Sequence, residues 1–170
     1  MEMNKTRIFE PLIKQTITKL ERLIVLEDNN KIDDSEALTD TLVFTLSNSD
    51  CFEILVTSED TTIKKITTKQ DFLVNFALED DEVIDSVPVS EAIDTPFTID
   101  SIVETWADKN NPLLVAVDFL DQNKQSLLSI LTETDEIDLL KSEKTKTIVH
   151  RMVFNYGSIC HIWYDSLIKN

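Results

Sequence analysis

The sequence predicts an α+β domain, mainly antiparallel sheet, built from two similar β-meander units with few short helices. Three observations lead there. Apolar residues alternate with polar ones at the period of a strand, as in Leu42, Phe44 and Leu46. That grammar occurs once in the first half of the chain and again in the second. Gly157 is the only glycine among 170 residues, so tight turns fall to Asn, Asp and Ser, which form side-chain turns or tolerate left-handed backbone.

Taken in order, Ile17 to Leu20 forms a short leading element. Leu42, Phe44 and Leu46 then run into Asn48-Ser49-Asp50, and Phe52, Ile54 and Val56 run out, which reads as a hairpin with one buried face. The exit, Val56 to Ile63, resembles the later stretch Leu131 to Ile137. Asp71 to Leu78 suits a strand, by Phe72, Val74 and Phe76, or the start of a short helix. Residues 79–96, with Pro88 and Pro96, read as an acidic surface linker. Ile99 to Ile102 repeats the leading element. Val115, Val117 and Phe119 enter a second turn at Asp121 to Lys124, and Leu127 to Leu131 leave it. Residues 147–164 read as a final hairpin around Asn155-Tyr156-Gly157, with a short helix from Tyr164. The expectation is one domain over 1–170, with an internal duplication of 12–70 and 97–140. Phe44, Phe52, Phe72, Phe76, Phe119 and Phe154 fall at inward positions of this pattern.

The formal net charge is -16. It opposes direct contact with nucleic-acid phosphates or anionic lipid and favours basic partners. The charge is also segregated. No Lys or Arg lies between Lys69 and Lys109, and from Glu27 to Asp60 only Lys31 does, while both ends are mildly basic. Such segregation points to an acidic interaction face. No apolar run approaches the roughly 20 residues that span a bilayer. Met1 to Pro11 lacks the apolar core of a signal peptide, and Cys51 and Cys160 are too few for a disulfide framework. A cytoplasmic protein is expected.

Catalytic chemistry has little to build on. Glycine-rich phosphate loops are excluded by composition. His150, Cys160 and His161 form the best metal candidate, but neighbours on a strand point to opposite faces, so a buried thiol and ordinary histidines are the simpler reading. The same geometry opposes a Cys-His nucleophile, and Asp50 and Glu53 beside Cys51 would raise a thiol pKa. The expectation is no enzyme, no metal and no cofactor. The candidate partner-binding residues are Glu59 and Asp60, then Glu79, Asp80, Asp81, Glu82 and Asp85, then Glu104, Trp106 and Asp108. Trp106 enters as an aromatic anchor among carboxylates, with packing over the sheet edge as its other reading.

With the hairpins LVFTLSNSDCFEILVTSEDTTI and LVAVDFLDQNKQSLLSILTETDEI, its size and its charge, the chain resembles the small acidic immunity proteins of bacterial polymorphic-toxin and contact-dependent inhibition systems. That resemblance implies an inhibitor that binds and neutralises a cognate toxin domain, often by covering its active site. Two other readings share the acidic surface. One is a nucleic-acid-mimicking inhibitor of a DNA- or RNA-acting enzyme, and the other is a secretion adaptor or chaperone for a basic client.

Overall fold

The computed structural model describes residues 7–27, 37–58, 60–68, 71–74, 76–107, 113–132, 136–140 and 159–165. Within them lie eleven strands, the 3-10 turn Glu10–Leu12 and 3-10 geometry at Asp71. The chain is therefore mostly antiparallel sheet with almost no helix, and the α component of the expected α+β class is not found there. The reason is compositional: β-branched, aromatic and leucine side chains fill the regular segments at strand spacing.

The first sheet contains β1 (Thr16–Glu27), β2 (Thr41–Leu46), β3 (Cys51–Val56), β4 (Thr61–Ile66) and β5 (Glu82–Pro88) in the order β4-β3-β2-β1-β5. A two-residue strand, β6 (Phe97–Thr98), also pairs with β1. The second sheet contains β7 (Ser101–Ala107), β8 (Leu113–Leu120), β9 (Ser126–Leu131), β10 (Asp138–Leu140) and β11 (Ile159–Asp165) in the order β10-β9-β8-β7-β11. The two halves thus repeat one topology. Four strands meander, and a fifth crosses back to pair antiparallel with the first.

Both central hairpins are turned without glycine. The Asn48 side-chain oxygen accepts the Asp50 N–H at 3.0 Å, and Ser49 takes φ 68°. In the second hairpin, Asp121 Oδ1 accepts the N–H groups of Asn123 and Gln125 at 2.8 and 2.9 Å, and Lys124 takes φ 63°. Local side-chain acceptors offset the steric cost of left-handed backbone at Ser49 and Lys124.

The sheets share one core. Leu20, Leu42, Phe44, Leu46, Ile54 and Val56 from the first pack with Ile102, Val117, Phe119, Leu128 and Ile130 from the second. Phe44 and Phe119 meet edge to face at 5.8 Å between centroids, and Phe9 closes on Phe119 at 5.7 Å. Arg22 on β1 is buried and ties the sheets at one end. Its guanidinium donates to the carbonyls of Thr39, Thr41 and Ile137 and pairs with Glu91 at 3.0 Å.

Several expectations need correction. Residues 79–96 are not all linker, because Glu82–Pro88 is strand β5. Tyr164 does not begin a helix; it ends β11 beside Asp165. The first limb of the expected 147–164 hairpin, with Phe154, lies outside the described residues. In the described part of Asp71 to Leu78 no strand forms, and only Asp71 has 3-10 geometry. Phe76 is exposed rather than inward.

That connection crosses the outer face of the first sheet, from edge strand β4 to edge strand β5. Val43 and Glu53, which point away from the shared core, are buried. The Leu73 N–H donates to both carboxylate oxygens of Glu53, at 3.0 and 2.8 Å.

Candidate interaction surface

The acidic stretches sort into working and unengaged carboxylates. Asp71 accepts from the backbone and hydroxyls of Thr67 and Thr68, which hold its carboxyl down at about 2. Asp100 is held low by Lys14 and Lys124, and Glu91 pairs with Arg22. Glu82 Oε2 accepts the Glu79 N–H at 2.7 Å while the Glu82 N–H returns to the Glu79 carbonyl at 3.1 Å, so this pair closes the turn into β5. Asp85 Oδ1 accepts the adjacent Ser86 N–H at 2.8 Å. Glu79, Asp80, Asp81 and Asp94 are exposed, and no described residue takes their carboxylates.

The expected partner-binding set therefore divides. Glu79, Asp80, Asp81, Glu82 and Asp85 sit together on the turn and first half of β5. Asp60 is exposed but belongs to the β3–β4 turn, where its backbone and side chain are bonded to Thr57 and Thr61. That turn is at the opposite edge of the sheet, three to four strand spacings or about 14–19 Å from β5. Glu59 and Asp108 lie outside the described residues.

Glu104 and Trp106 are not surface residues. Glu104 has no exposed area and Trp106 only 5%. The Glu104 carboxylate accepts the N–H groups of Arg7 at 2.8 Å and Phe9 at 3.4 Å, and the Trp106 indole N–H at 3.0 Å. It is a clasp for the N-terminal segment against β7, and Trp106 packs in the shared core. Of the two readings of Trp106, packing is the observed one. The Glu104 partners Arg7 and Phe9 lie 97 and 95 positions away in sequence, so its acidic neighbourhood carried no sign of them.

Sequence reasoning also missed the apolar half of the surface. The exposed large hydrophobics among the described residues are Phe76, Leu78 and Val83, and they flank Glu79, Asp80 and Asp81 along the chain. Val83 is 52% exposed although it lies in a strand, because β5 is the end of its sheet. The detectable signal was Phe76 and Leu78 running directly into a string of acids.

For chemistry other than docking, the described residues contain no group of three His, Cys, Asp or Glu side chains that could hold a metal ion. The described His161 is exposed, with Nδ1 3.0 Å from the Thr105 hydroxyl. No described helix is long and apolar enough to cross a membrane.

These features define a class: an antiparallel two-sheet protein with an acidic and apolar turn at one open sheet edge. Comparison with known proteins returned no match to a family model, a curated protein or a solved structure.

Proposed function

We propose that this chain is a non-catalytic binding protein of the immunity type, which docks the turn at 79–82 against a basic protein and neutralises it. The observation that carries this reading is the coincidence of Phe76, Leu78 and Val83 with the unengaged carboxylates Glu79, Asp80 and Asp81. Protein interfaces combine an apolar centre with a polar rim, and the net charge of -16 accelerates encounter with a basic surface. A nucleic-acid mimic would instead space carboxylates along a face without exposed apolar side chains among them, so an inhibitor that docks an apolar and acidic turn is favoured over a mimic. The partner class that fits is a toxin domain with a basic cleft.

The test is co-expression with the product of the neighbouring upstream reading frame. Wild type restores growth and co-purifies one to one. Glu79→Lys, Asp80→Lys and Asp81→Lys combined weaken the complex at least about a hundredfold, as for reversed charges at a steered interface, with an unchanged circular dichroism spectrum. Glu82 and Asp85 are left alone because Glu82 holds the turn and Asp85 accepts the Ser86 N–H within β5. Equal rescue by the reversed variant refutes the surface, and a harmless neighbouring product refutes the immunity role.

A further inference from the structure

The hydrogen-bond register of β5 specifies how its open edge can be used. The Val89 N–H donates to the Leu20 carbonyl at 3.1 Å, so Leu20 and Val89 are a hydrogen-bonded pair. Pairs alternate along an antiparallel ladder. Leu26 with Val83, Ile24 with Asp85 and Arg22 with Val87 are then bonded pairs as well. The backbone groups of Glu82, Ile84, Ser86 and Pro88 therefore turn away from β1, toward the open side. Pro88 fits this phase, since its missing N–H falls where the ladder does not need it.

Three of those four positions offer no free N–H. The Glu82 N–H goes to the Glu79 carbonyl, the Ser86 N–H goes to Asp85 Oδ1 at 2.8 Å, and Pro88 has none. Of the four, Ile84 alone is left to present a donor, while all four present carbonyls. A further strand needs donors and acceptors in alternation, so this edge is closed to strand addition and rich in acceptors. The turn that leads directly into this strand, joined to it by the Glu79–Glu82 bonds, carries the exposed carboxylates of Glu79, Asp80 and Asp81. It follows the exposed Phe76 and Leu78, and Val83 on the strand itself is exposed as well.

We infer that the β5 edge docks an arginine-bearing apolar segment of a basic protein through side-chain donors, and does not accept a β-strand. The inference rests on the reading of the chain as a binder of basic proteins and names the mode of binding. Guanidinium is the donor that fits, because its planar fork spans paired acceptors such as a carbonyl and a carboxylate, whereas an ammonium is a point charge. A second copy of this chain is disfavoured as the occupant, since it would bring another acidic turn and another acceptor edge.

The test uses the isotope-labelled full chain and a synthetic amphipathic peptide of Arg and Leu, with a Lys-for-Arg twin and an extended Val/Thr peptide of equal charge. Expected are amide shifts confined to 76–88 on adding the Arg peptide, and several-fold weaker binding of the Lys twin. The Val/Thr peptide should produce no strand contacts with Ile84 or Ser86. Phe76→Ser with Val83→Ser should weaken Arg-peptide binding about tenfold, with all other amide signals in place to show an intact fold. Equal affinity for the Arg and Lys peptides, shifts spread over every acidic segment, or strand pairing at Ile84 would each overturn the inference. Growth rescue that persists with no peptide shifts at 76–88 would locate the fault in this docking mode and leave the binding function standing.

Discussion

Glu53 is a carboxyl whose energetics are set by what lies over it. It has no exposed area, and burial raises its pKa from 4.5 to about 7, against the lowering effects of the Leu73 N–H and Lys64; Asp40 adds a smaller push upward. A raised folded-state pKa in an acid means the folded chain holds its proton more tightly than the unfolded chain. The stabilisation is complete below about 4.5 and is lost as pH rises through about 7. The two limits differ by about 3 kcal/mol at 1.36 kcal/mol per pKa unit. Glu53→Gln keeps an acceptor for the Leu73 N–H and cannot ionise. It should match wild type in urea unfolding near pH 4 and exceed it by about 3 kcal/mol near pH 8. Parallel stability curves for the two proteins would show that Glu53 does not titrate in this range. Glu53 itself illustrates what a linear sequence withholds. Alternation places it opposite Ile54 and so toward solvent, and only the crossing connection with Leu73 buries it.

At the scale of elements, β2, β3 and β8 were legible because each alternates and is bounded by an Asn or Asp turn, and β9 because it is an apolar run leaving the Asp121 turn. Strand β5 was not. Its Glu82, Asp85, Ser86 and Pro88 resemble a loop, yet each has a structural reason to be there. Glu82 closes the turn, Asp85 occupies the Ser86 N–H, and Pro88 ends the edge without a donor. These are devices that keep an edge strand from pairing with other chains. Edge β4 uses a different one, with Lys64 and Lys65 exposed and Lys65 paired to Asp50 at 2.8 Å. Reopening β5 is therefore a direct test of the register. Asp85→Ala frees the Ser86 N–H, and Pro88→Val restores a donor at the next outward position. In salt high enough to screen the chain's negative charge, the double variant should sediment as a larger species than wild type at equal concentration. Identical sedimentation would mean that these groups do not guard the edge.

For the whole molecule, the repeated topology raises the question of whether two similar sheets unfold as one unit. The sequence carries matching hairpins and matching exits, but whether the halves made one sheet or two was not legible, because strand order depends on pairings between distant segments. The structure places two sheets around a single core and joins them twice more. The Ile137 N–H donates to the Thr39 carbonyl at 2.7 Å, and Arg22 on the first sheet donates to the Ile137 carbonyl at 2.6 Å. A shared core and buried polar ties make separate unfolding costly, since either sheet alone would expose the face that the other covers. Phe44 is the place to test this, because it lies on the first sheet and touches Phe119 on the second. Phe44→Ala should cost about 3–5 kcal/mol, as expected for truncating a fully buried aromatic. Both tryptophans, Trp106 and Trp163, belong to the second sheet, so their fluorescence reports on the sheet that was not mutated. If the molecule is one cooperative unit, tryptophan fluorescence and far-ultraviolet circular dichroism shift to the same lower midpoint in Phe44→Ala. A fluorescence midpoint that stays at the wild-type value while the dichroism signal moves would mean the sheets unfold independently, and the acidic edge on the first sheet would then be able to reorganise without disturbing the second.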